Sequence, residues 1–367
     1  MAYSPRLRAA VGAVRAALEA AGLGLQSPRF AEHGEHQPDA DAPLVLVACS
    51  GGRDSMALAA VAGTVCASLG VRCGAIIVDH GLQAGSADVA EEAAGRCRSL
   101  GLGPVEVRRV EVADAAGEGL EAAAREARYA ALIEAAHNLD AAAVLLAHTL
   151  DDQAETVLIG LLRSGGVDAL AGMPARVERG GVPFLRPLLP LTRADTTGIC
   201  DDLGLEYWND PTNGPDIEDG SALLPRDYPL RSRIRHDLLP YINAFSGADI
   251  TQRLADGARL ARNDKDYLDQ AAASVARTAI RPGAADAEIL RLDAKALAGE
   301  HPAIRRRVIA HALSSAGIVA NARQVEAIDR LIVDWHGQGP VDLPSGHSAN
   351  RKKHVIRVCQ DGAHANR

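Results

Sequence analysis

Aromatic side chains are scarce in this chain, 3% of 367 residues, so any core must be packed by the Ala, Val and Leu that dominate its 47% hydrophobic content. Long apolar runs are missing as well. No stretch reaches the ~18–20 apolar residues that span a bilayer. The Ala-rich N-terminal pattern carries Arg15 and Glu19, and so reads as an amphipathic helix rather than a secretory signal. The six cysteines, at 49, 66, 73, 97, 200 and 359, contain no Cys-x-x-Cys pair. That argues against a zinc or disulfide framework and fits buried thiols in a reducing, cytoplasmic compartment. No internal repeat is visible. At this length two domains are expected.

The formal charge of −8 excludes a uniformly basic protein, but it is unevenly spread. Residues 226–367 hold 22 Lys and Arg against 16 Asp and Glu, which leaves +6 there and −14 before it. Three clusters carry the excess: Arg231, Arg233 and Arg235; Arg305, Arg306 and Arg307; and Arg351, Lys352, Lys353 and His354. Any one triplet is ordinarily a solvated helix face. Three in one part of the chain tilt the reading toward a polyanion partner.

Apolar strand-like runs alternate with helical patterns over the first two hundred residues. Strands are expected at about 44–49, 74–79, 105–110, 142–147 and 182–188. Helices are expected at 55–69, 85–100, 119–138, 151–163 and 192–203. Such alternation predicts an α/β fold, a doubly wound parallel sheet covered on both faces. Ligands then bind at the carboxyl ends of the strands, where the polar motifs fall: 50–55, 79–81 and 148–152. Between 205 and 230 the pattern gives way to turn formers around Asp210-Pro211-Thr212-Asn213 and an acidic stretch at 216–221. The expected domains are 1–228, led in by a helix and polar stretch over 1–43, and 229–367. The second is read as mainly helical (246–277 and 302–334) with a small terminal β hairpin.

The most informative stretch is Ser50-Gly51-Gly52-Arg53-Asp54-Ser55, directly behind the run 44–49. A buried strand entering a helix through two glycines lets backbone approach an anion closely, and the helix start supplies free N–H groups and a positive dipole end. No lysine follows the glycines, so this is not a P-loop, and the spacing is not Gly-x-Gly-x-x-Gly. The bland alternative is a turn that merely uses Gly and Ser.

The hexapeptide resembles the Ser-Gly-Gly-x-Asp-Ser loop of the ATP pyrophosphatases, which cleave ATP between its α and β phosphates. Four further segments narrow the resemblance. They are Val78-Asp79-His80-Gly81-Leu82-Gln83; Glu121-Ala122-Ala123-Ala124-Arg125-Glu126-Ala127-Arg128-Tyr129; His148-Thr149-Leu150-Asp151-Asp152-Gln153-Ala154-Glu155; and Asp210-Pro211-Thr212-Asn213 ahead of Arg231-Ser232-Arg233-Ile234-Arg235. In this order, over about 44–245, they closely resemble the bacterial tRNA(Ile)-lysidine synthetases. The chain departs from that pattern at Thr149, where a second His is common, at Arg163-Ser164-Gly165-Gly166, at Ser232 in place of Asn, and in a longer loop before Arg231.

The resemblance implies an ATP-binding domain followed by a tRNA-recognising domain. It also implies ligation of free L-lysine to C2 of the wobble cytidine in the CAU anticodon of isoleucine tRNA, with ATP becoming AMP and pyrophosphate. The chemistry is intelligible on its own terms. Adenylating the C2 oxygen turns a hopeless oxide leaving group into AMP, after which an amine can add. The departing pyrophosphate calls for N–H donors and Mg²⁺. Asp54, Asp151 and Asp152 are the candidate magnesium ligands, although Asp151 and Asp152 would also serve as an ordinary helix cap. Lysine arrives protonated, and Asp54, Asp151 or Glu155 would take its proton. Ser50, Gly51, Gly52, Arg53, Ser55, His80 and His148 are expected at ATP. Arg125, Arg128, Arg233, Arg235, Arg305, Arg306 and Arg307 are expected at tRNA or substrate. Thiolating relatives and ammonia-dependent amide synthetases share the loop, but the chain lacks paired cysteines and room for a glutaminase ahead of the loop. A homodimer would read the same as a monomer.

Overall fold

The computed structural model describes residues 3–32, 37–81, 85–112, 118–209, 223–284 and 287–360. The expected loop at 210–213 and most of the longer insertion after it lie outside these residues. The chain divides into two compact units, Met1–Arg262 and Asn263–Arg367.

In the first unit, helix α1 (Pro5–Ala20) is followed by strand β1 (Leu44–Ala48), α2 (Arg53–Leu69), β2 (Arg72–Asp79), α3 (Ser86–Ser99), β3 (Val105–Arg109), α4 (Glu118–Asn138) and β4 (Ala141–Leu145). Next come α5 (Leu150–Arg163), α6 (Val167–Leu170), β5 (Arg176–Arg179), β6 (Val182–Leu185), α7 (Arg193–Leu203), α8 (Leu230–Arg233), a π-helical turn over Ile234–Leu238, and α9 (Leu239–Ser246). The strand order is β3-β2-β1-β4-β6-β5. All neighbours run parallel except β5 with β6. Sequence periodicity missed β5, whose Arg-Val-Glu-Arg is too polar to read as a core strand but suits a sheet edge.

Period-two alternation decides which residues face which layer. Val45 and Val47 look toward α1, α2, α3 and α7, whereas Leu44 and Leu46 pack on Tyr129 and Leu132 of α4. Crossing from one face to the other between β3 and β4 puts the topological switch between β1 and β4. A ligand crevice belongs at that point. The π-helical turn precedes Pro240, which has no N–H to return to the preceding turn. Its Ile234, with Leu239, packs on Leu158 of α5, so residues 229–246 belong to the first unit and not, as the sequence suggested, to the second.

Helix α10 (Thr251–Ala279) spans the division. Within the second unit follow β7 (Ile280–Pro282), β8 (Glu288–Asp293), α11 (Ala294–Ala298), α12 (Pro302–Ser315), α13 (Ala322–Val333), β9 (Val341–Leu343), β10 (His347–Lys352) and β11 (Val355–Gln360). The segments expected to form the hairpin, 340–346 and 353–358, fall on β9 and β11, which are separated by β10 in a five-stranded antiparallel sheet of order β7-β8-β11-β10-β9. The helical stretch expected over 302–334 is two helices. Gly317 at φ +75 ends the first, and Asn321 with Gln324 forms the capping box of the second. The cysteines are free thiols, four buried and two half-buried. Among the described residues no helix is long and apolar enough to cross a membrane.

The arginine triplet on α12, expected at tRNA or substrate, is tied into this unit by acidic residues of α10 and α13. Arg305 is 5% exposed and clamps Asp329 on α13, itself 2% exposed. Arg306 Nε donates to the same carboxylate at 2.9 Å and Arg307 lies 3.6 Å from Asp269. Burial would raise the Asp329 carboxyl, but the two guanidinium groups hold it below the usual aspartate range. Its contribution is therefore present above the unfolded aspartate value and lost as pH falls through the depressed one. Asp329→Ala strands two arginines, one of them buried. It should lower stability by ~3–5 kcal/mol in a denaturant melt; a change below ~1 kcal/mol would contradict this account.

Candidate active site

The Ser50–Ser55 loop leaves β1 at the switch point. Gly51 has φ +77, and a Cβ there would lie 2.9 Å from Cβ of Ala93, so both backbone freedom and space demand glycine. Gly51 O accepts from Trp208 N at 2.9 Å, tying the loop to the segment after α7. Gly52 is the N-cap of α2 and brings no side-chain cap, leaving that helix start available to an anion. Ser55 is buried and holds the turn. Its Oγ donates to Gly52 O at 2.8 Å and accepts from Ser50 N at 3.2 Å. This serine is a loop strut, while Ser50, Gly51, Gly52 and Arg53 form the rim.

Beside the loop, four carboxylates gather around one guanidinium. Arg193, at the start of α7, is within 3.1 Å of Asp152, 3.2 Å of Glu155, and 3.9 Å of both Asp54 and Asp151. Its backbone N–H donates to Asp151 Oδ2 at 2.7 Å. Arg235 binds Glu155 through Nε at 2.8 Å, and Arg231 lies 3.7 Å from both Asp152 and Glu155. Glu155 is wholly buried, so all of its charge is compensated by protein. Burial opposes the Arg193 charge, yet Glu155, Asp152, Asp151 and Asp54 raise its pKa overall. Asp152 is held below the normal aspartate range despite burial, by Arg193, His148, the Thr149 N–H and Arg231.

Sequence reasoning missed Arg193 altogether. A signal did exist: Thr192 and Asp195 mark a capping box, and a cation in the first turn of a helix opposes the dipole unless acids elsewhere hold it. Arg231 was noticed only as part of a basic run.

The three expected magnesium ligands are not equivalent. Asp152 Oδ2 caps α5, accepting from Thr149 N at 2.8 Å and Thr149 Oγ1 at 3.1 Å, and its Oδ1 faces Arg193. It has no oxygen left for a cation. Asp54 Oδ1 accepts from Thr196, and Asp151 Oδ2 is bound as above. Each keeps its other oxygen outside any hydrogen bond among the described residues. Among the described residues no group of three His, Cys, Asp or Glu is placed to hold a metal. Two carboxylate oxygens next to a phosphate-binding loop do match Mg²⁺, which takes one or two carboxylates and completes its shell with phosphate and water. Asp151, Glu155, Arg193 and Arg235 also line a cavity of about 290 Å³ with Leu239, Pro240, Asn243, Asp249 and Thr251.

The other expected residues have a different character. Arg128 and Arg186 form no ion pair among the described residues, and burial lowers the pKa of both. Arg186 reaches Pro174 O at 2.8 Å and Tyr129 Oη at 3.3 Å, while its Nε is buried without a partner. Buried Nδ1 atoms of His80 and His148 are likewise unpartnered, as is Nε of Arg233. Arg125 is exposed and leans on the Tyr129 ring. The structure therefore joins Arg128, His80 and His148 in one electropositive region and commits Arg235 to Glu155.

Two families match the chain: a PP-loop domain over residues 28–242 and a TilS substrate binding domain over 292–360. A tRNA(Ile)-lysidine synthase of Bifidobacterium longum (strain NCC 2705) is 64% identical with both chains fully covered. Those of Leifsonia xyli (44%, covering 90% of this chain and 95% of the relative) and Streptomyces coelicolor (45%, 85% and 84%) are also similar. Among solved structures, the U34-tRNA thiolase NcsA from Methanococcus maripaludis, with its [4Fe-4S] cluster, shares the fold. Its TM-score is 0.50 and its identity 19%, over 70% of this chain and 80% of that one.

Burial, then Arg186, Arg128 and Arg231, push the His148 imidazole down to about 3 against the opposing pull of Asp152. In the free protein it should stay neutral from pH 8 to 5 in a ¹⁵N-histidine NMR titration. The unfolded chain would take up that proton near pH ~6.5, so His148 withdraws stability as pH falls below that value. A protonation step between pH 6 and 7 in the folded state would contradict this environment.

Proposed function

The chain belongs to the tRNA(Ile)-lysidine synthase family, and from that membership we propose how its cleft carries out ATP-dependent lysidine formation. ATP lies with its phosphates over the Ser50–Ser55 loop and the start of α2. The observation that carries this reading is the uncapped, double-glycine helix start in direct register with a carboxylate cluster. Arg128, Arg186 and the neutral His148 face the anionic side, where charge develops as pyrophosphate departs. His80 sits at the same edge.

Asp54 would hold Mg²⁺, which would supply charge neutralisation for the departing pyrophosphate. Arg193 sets the spacing of Asp54 and Asp151 and keeps the two carboxylates from repelling each other. The wobble cytidine of the CAU-bearing isoleucine tRNA enters so that its C2 oxygen attacks the α phosphate. AMP bonded to that oxygen is then displaced by lysine nitrogen adding at C2.

Free lysine occupies the 290 Å³ cavity, whose Asp151, Glu155 and Asp249 suit an ammonium ion. Glu155 has both oxygens engaged by Arg235, at 2.8 and 3.3 Å. Asp151 lines the cavity and keeps an oxygen free, so Asp151 accepts the lysine proton. The enzyme works in the cytoplasm, with its tRNA.

The decisive assay is incorporation of labelled lysine into an isoleucine tRNA transcript bearing CAU, with a methionine tRNA alongside. Label is expected in the first alone, with one AMP released per lysine. Asp54→Ala should reduce AMP formation by about 10²-fold or more and leave tRNA affinity nearly unchanged. Label in both tRNAs, or an active Asp54→Ala, would overturn the assignment.

A further inference from the structure

We propose that Cys49 and Cys97 are an oxidation site, joined as a disulfide when the protein meets hydrogen peroxide, and that this bond pulls the phosphate loop out of its ATP-binding shape. The second half rests on the reading of Ser50–Ser55 as the ATP loop; the first does not.

The proposed ligation uses no thiol, yet the fold gathers four on one face of the parallel sheet. Cys49, Cys66 and Cys97 are buried in the core under α2 and α3, with Cys73 packed against it. They fall into two hydrogen-bonded pairs, Cys49 with Cys97 and Cys66 with Cys73. Spacing in the sequence shows neither pair, because each joins a strand or its end to a helix.

The first pair touches the site. Cys49 is the last residue before the loop, and its Sγ lies 3.6 Å from Oγ of Ser55, the strut of the turn, and 3.7 Å from Sδ of Met56. Cys97 stands one helical turn beyond Ala93 on α3, and Ala93 is the residue that leaves no room for a Cβ at Gly51. Loop and thiol pair therefore rest on one stripe of α3. Cys73, in contrast, pairs with Val45 near the start of β1, at the far end of that strand from the loop.

The two thiols have complementary characters. The hydrogen bond from Cys97, with smaller help from Ser55, the Gly51 N–H and Arg96, holds Cys49 below the ordinary thiol range although burial opposes it. Cys49 and burial push Cys97 up, so it keeps its proton. A thiolate is the species that attacks a peroxide. The Cys49 sulfur bonds to one peroxide oxygen, the O–O bond breaks, and the other oxygen leaves as hydroxide to take the Cys49 proton as water. The Cys97 sulfur then attacks the Cys49 sulfenic sulfur. The S–O bond breaks, and the Cys97 proton leaves with that hydroxide as a second water. Two sulfurs are oxidised by one electron each and the peroxide takes both; a dithiol reverses the bond by exchange.

Bonded sulfurs stand about 2.05 Å apart, well inside a hydrogen-bonded separation. The Cys49 N–H is held by Ile76 O at 2.9 Å, so the movement falls on α3 and the loop it touches. A Cβ at Gly51 would already lie 2.9 Å from that of Ala93, so α3 cannot close on Cys49 without displacing the loop. In a reducing compartment such a bond is transient and redox-sensing rather than structural.

The test compares reduced protein with protein treated with hydrogen peroxide and then alkylated. Peptide mass spectrometry should show 49 and 97 linked and unalkylated, and dithiothreitol should release them. ATP affinity in equilibrium dialysis should fall with the linked fraction. AMP formation with tRNA and lysine should drop about 10²-fold, the scale of a misplacement of about 1 Å, and recover on reduction. Cys97→Ala should keep the untreated ATP affinity and form no link, leaving a Cys49 sulfenic acid that dimedone captures. Cys73→Ala should behave as the wild type throughout. If Cys97→Ala fails to fold, the wild-type linkage and affinity still decide the matter.

Folded wild type that forms no 49–97 link would overturn the proposal. So would linked protein that binds ATP as tightly as before. Reduced protein that binds no ATP would overturn the assignment of the loop instead, with the linked peptide still deciding whether the pair is an oxidation site.

Discussion

A carboxylate with no solvent exposure must be compensated in full, and Glu155 is compensated by three guanidinium groups from two segments of the chain. Arg193 comes from the start of α7, and Arg231 and Arg235 from the segment around the π-helical turn. Breaking one side of such a buried pair is far costlier than the pair itself is worth. The network therefore acts less as a source of stability than as a convergence condition. Once α5 is anchored by its Thr149–Asp152 cap, Glu155 is fixed, and α7 and residues 231–235 must come to it. Asp54 and Asp151 are then spaced by Arg193. The cleft is set by an ion-pair network whose arginines lie 38 to 80 residues along the chain from Glu155.

That convergence divides the cleft by sign. One side offers the uncapped start of α2, Arg128, Arg186 and the neutral His148; the other offers Asp151 and Asp249. Arg193 stands at the boundary, balancing acids without itself being free for an anion. A reaction between a polyphosphate and an ammonium ion needs such a division, because either reactant placed in the opposite half would meet its own charge. The neutral His148 is consistent with this. An imidazolium would add charge beside Arg128 and Arg186, and burial there already works against it.

The parallel sheet, its helices and the loop were legible in the sequence because period-two and period-3.6 patterns are local, and Gly51 is forced by local backbone geometry. What was not legible depends on distance. Arg193 looks like any helix-start residue until Asp54, Asp151, Asp152 and Glu155 are folded around it. Asp152 reads as a metal ligand by its neighbours' company, whereas its own backbone cap consumes it. Residues 229–246 seemed to open a new domain because a run of turn formers precedes them. Their Ile234 and Leu239 nonetheless find their core on Leu158. Strands β7 and β8 escaped notice because an outward row of charges breaks the apolar run that marks a strand.

The same lesson applies to the basic excess after residue 226. A count of cations measures attraction for a polyanion only after subtracting those already neutralised inside the fold. Arg231 and Arg235 are spent on Asp152 and Glu155, and Arg305 and Arg306 on Asp329. Two of the three runs conspicuous in the sequence are thus largely committed inside the fold, whereas Lys352 and Lys353 of the third are exposed. Arg291 and Arg357 likewise share Glu288, so the cations left over on this sheet include Lys352 and Lys353 at the β10–β11 turn and Arg281, which donates to backbone carbonyls.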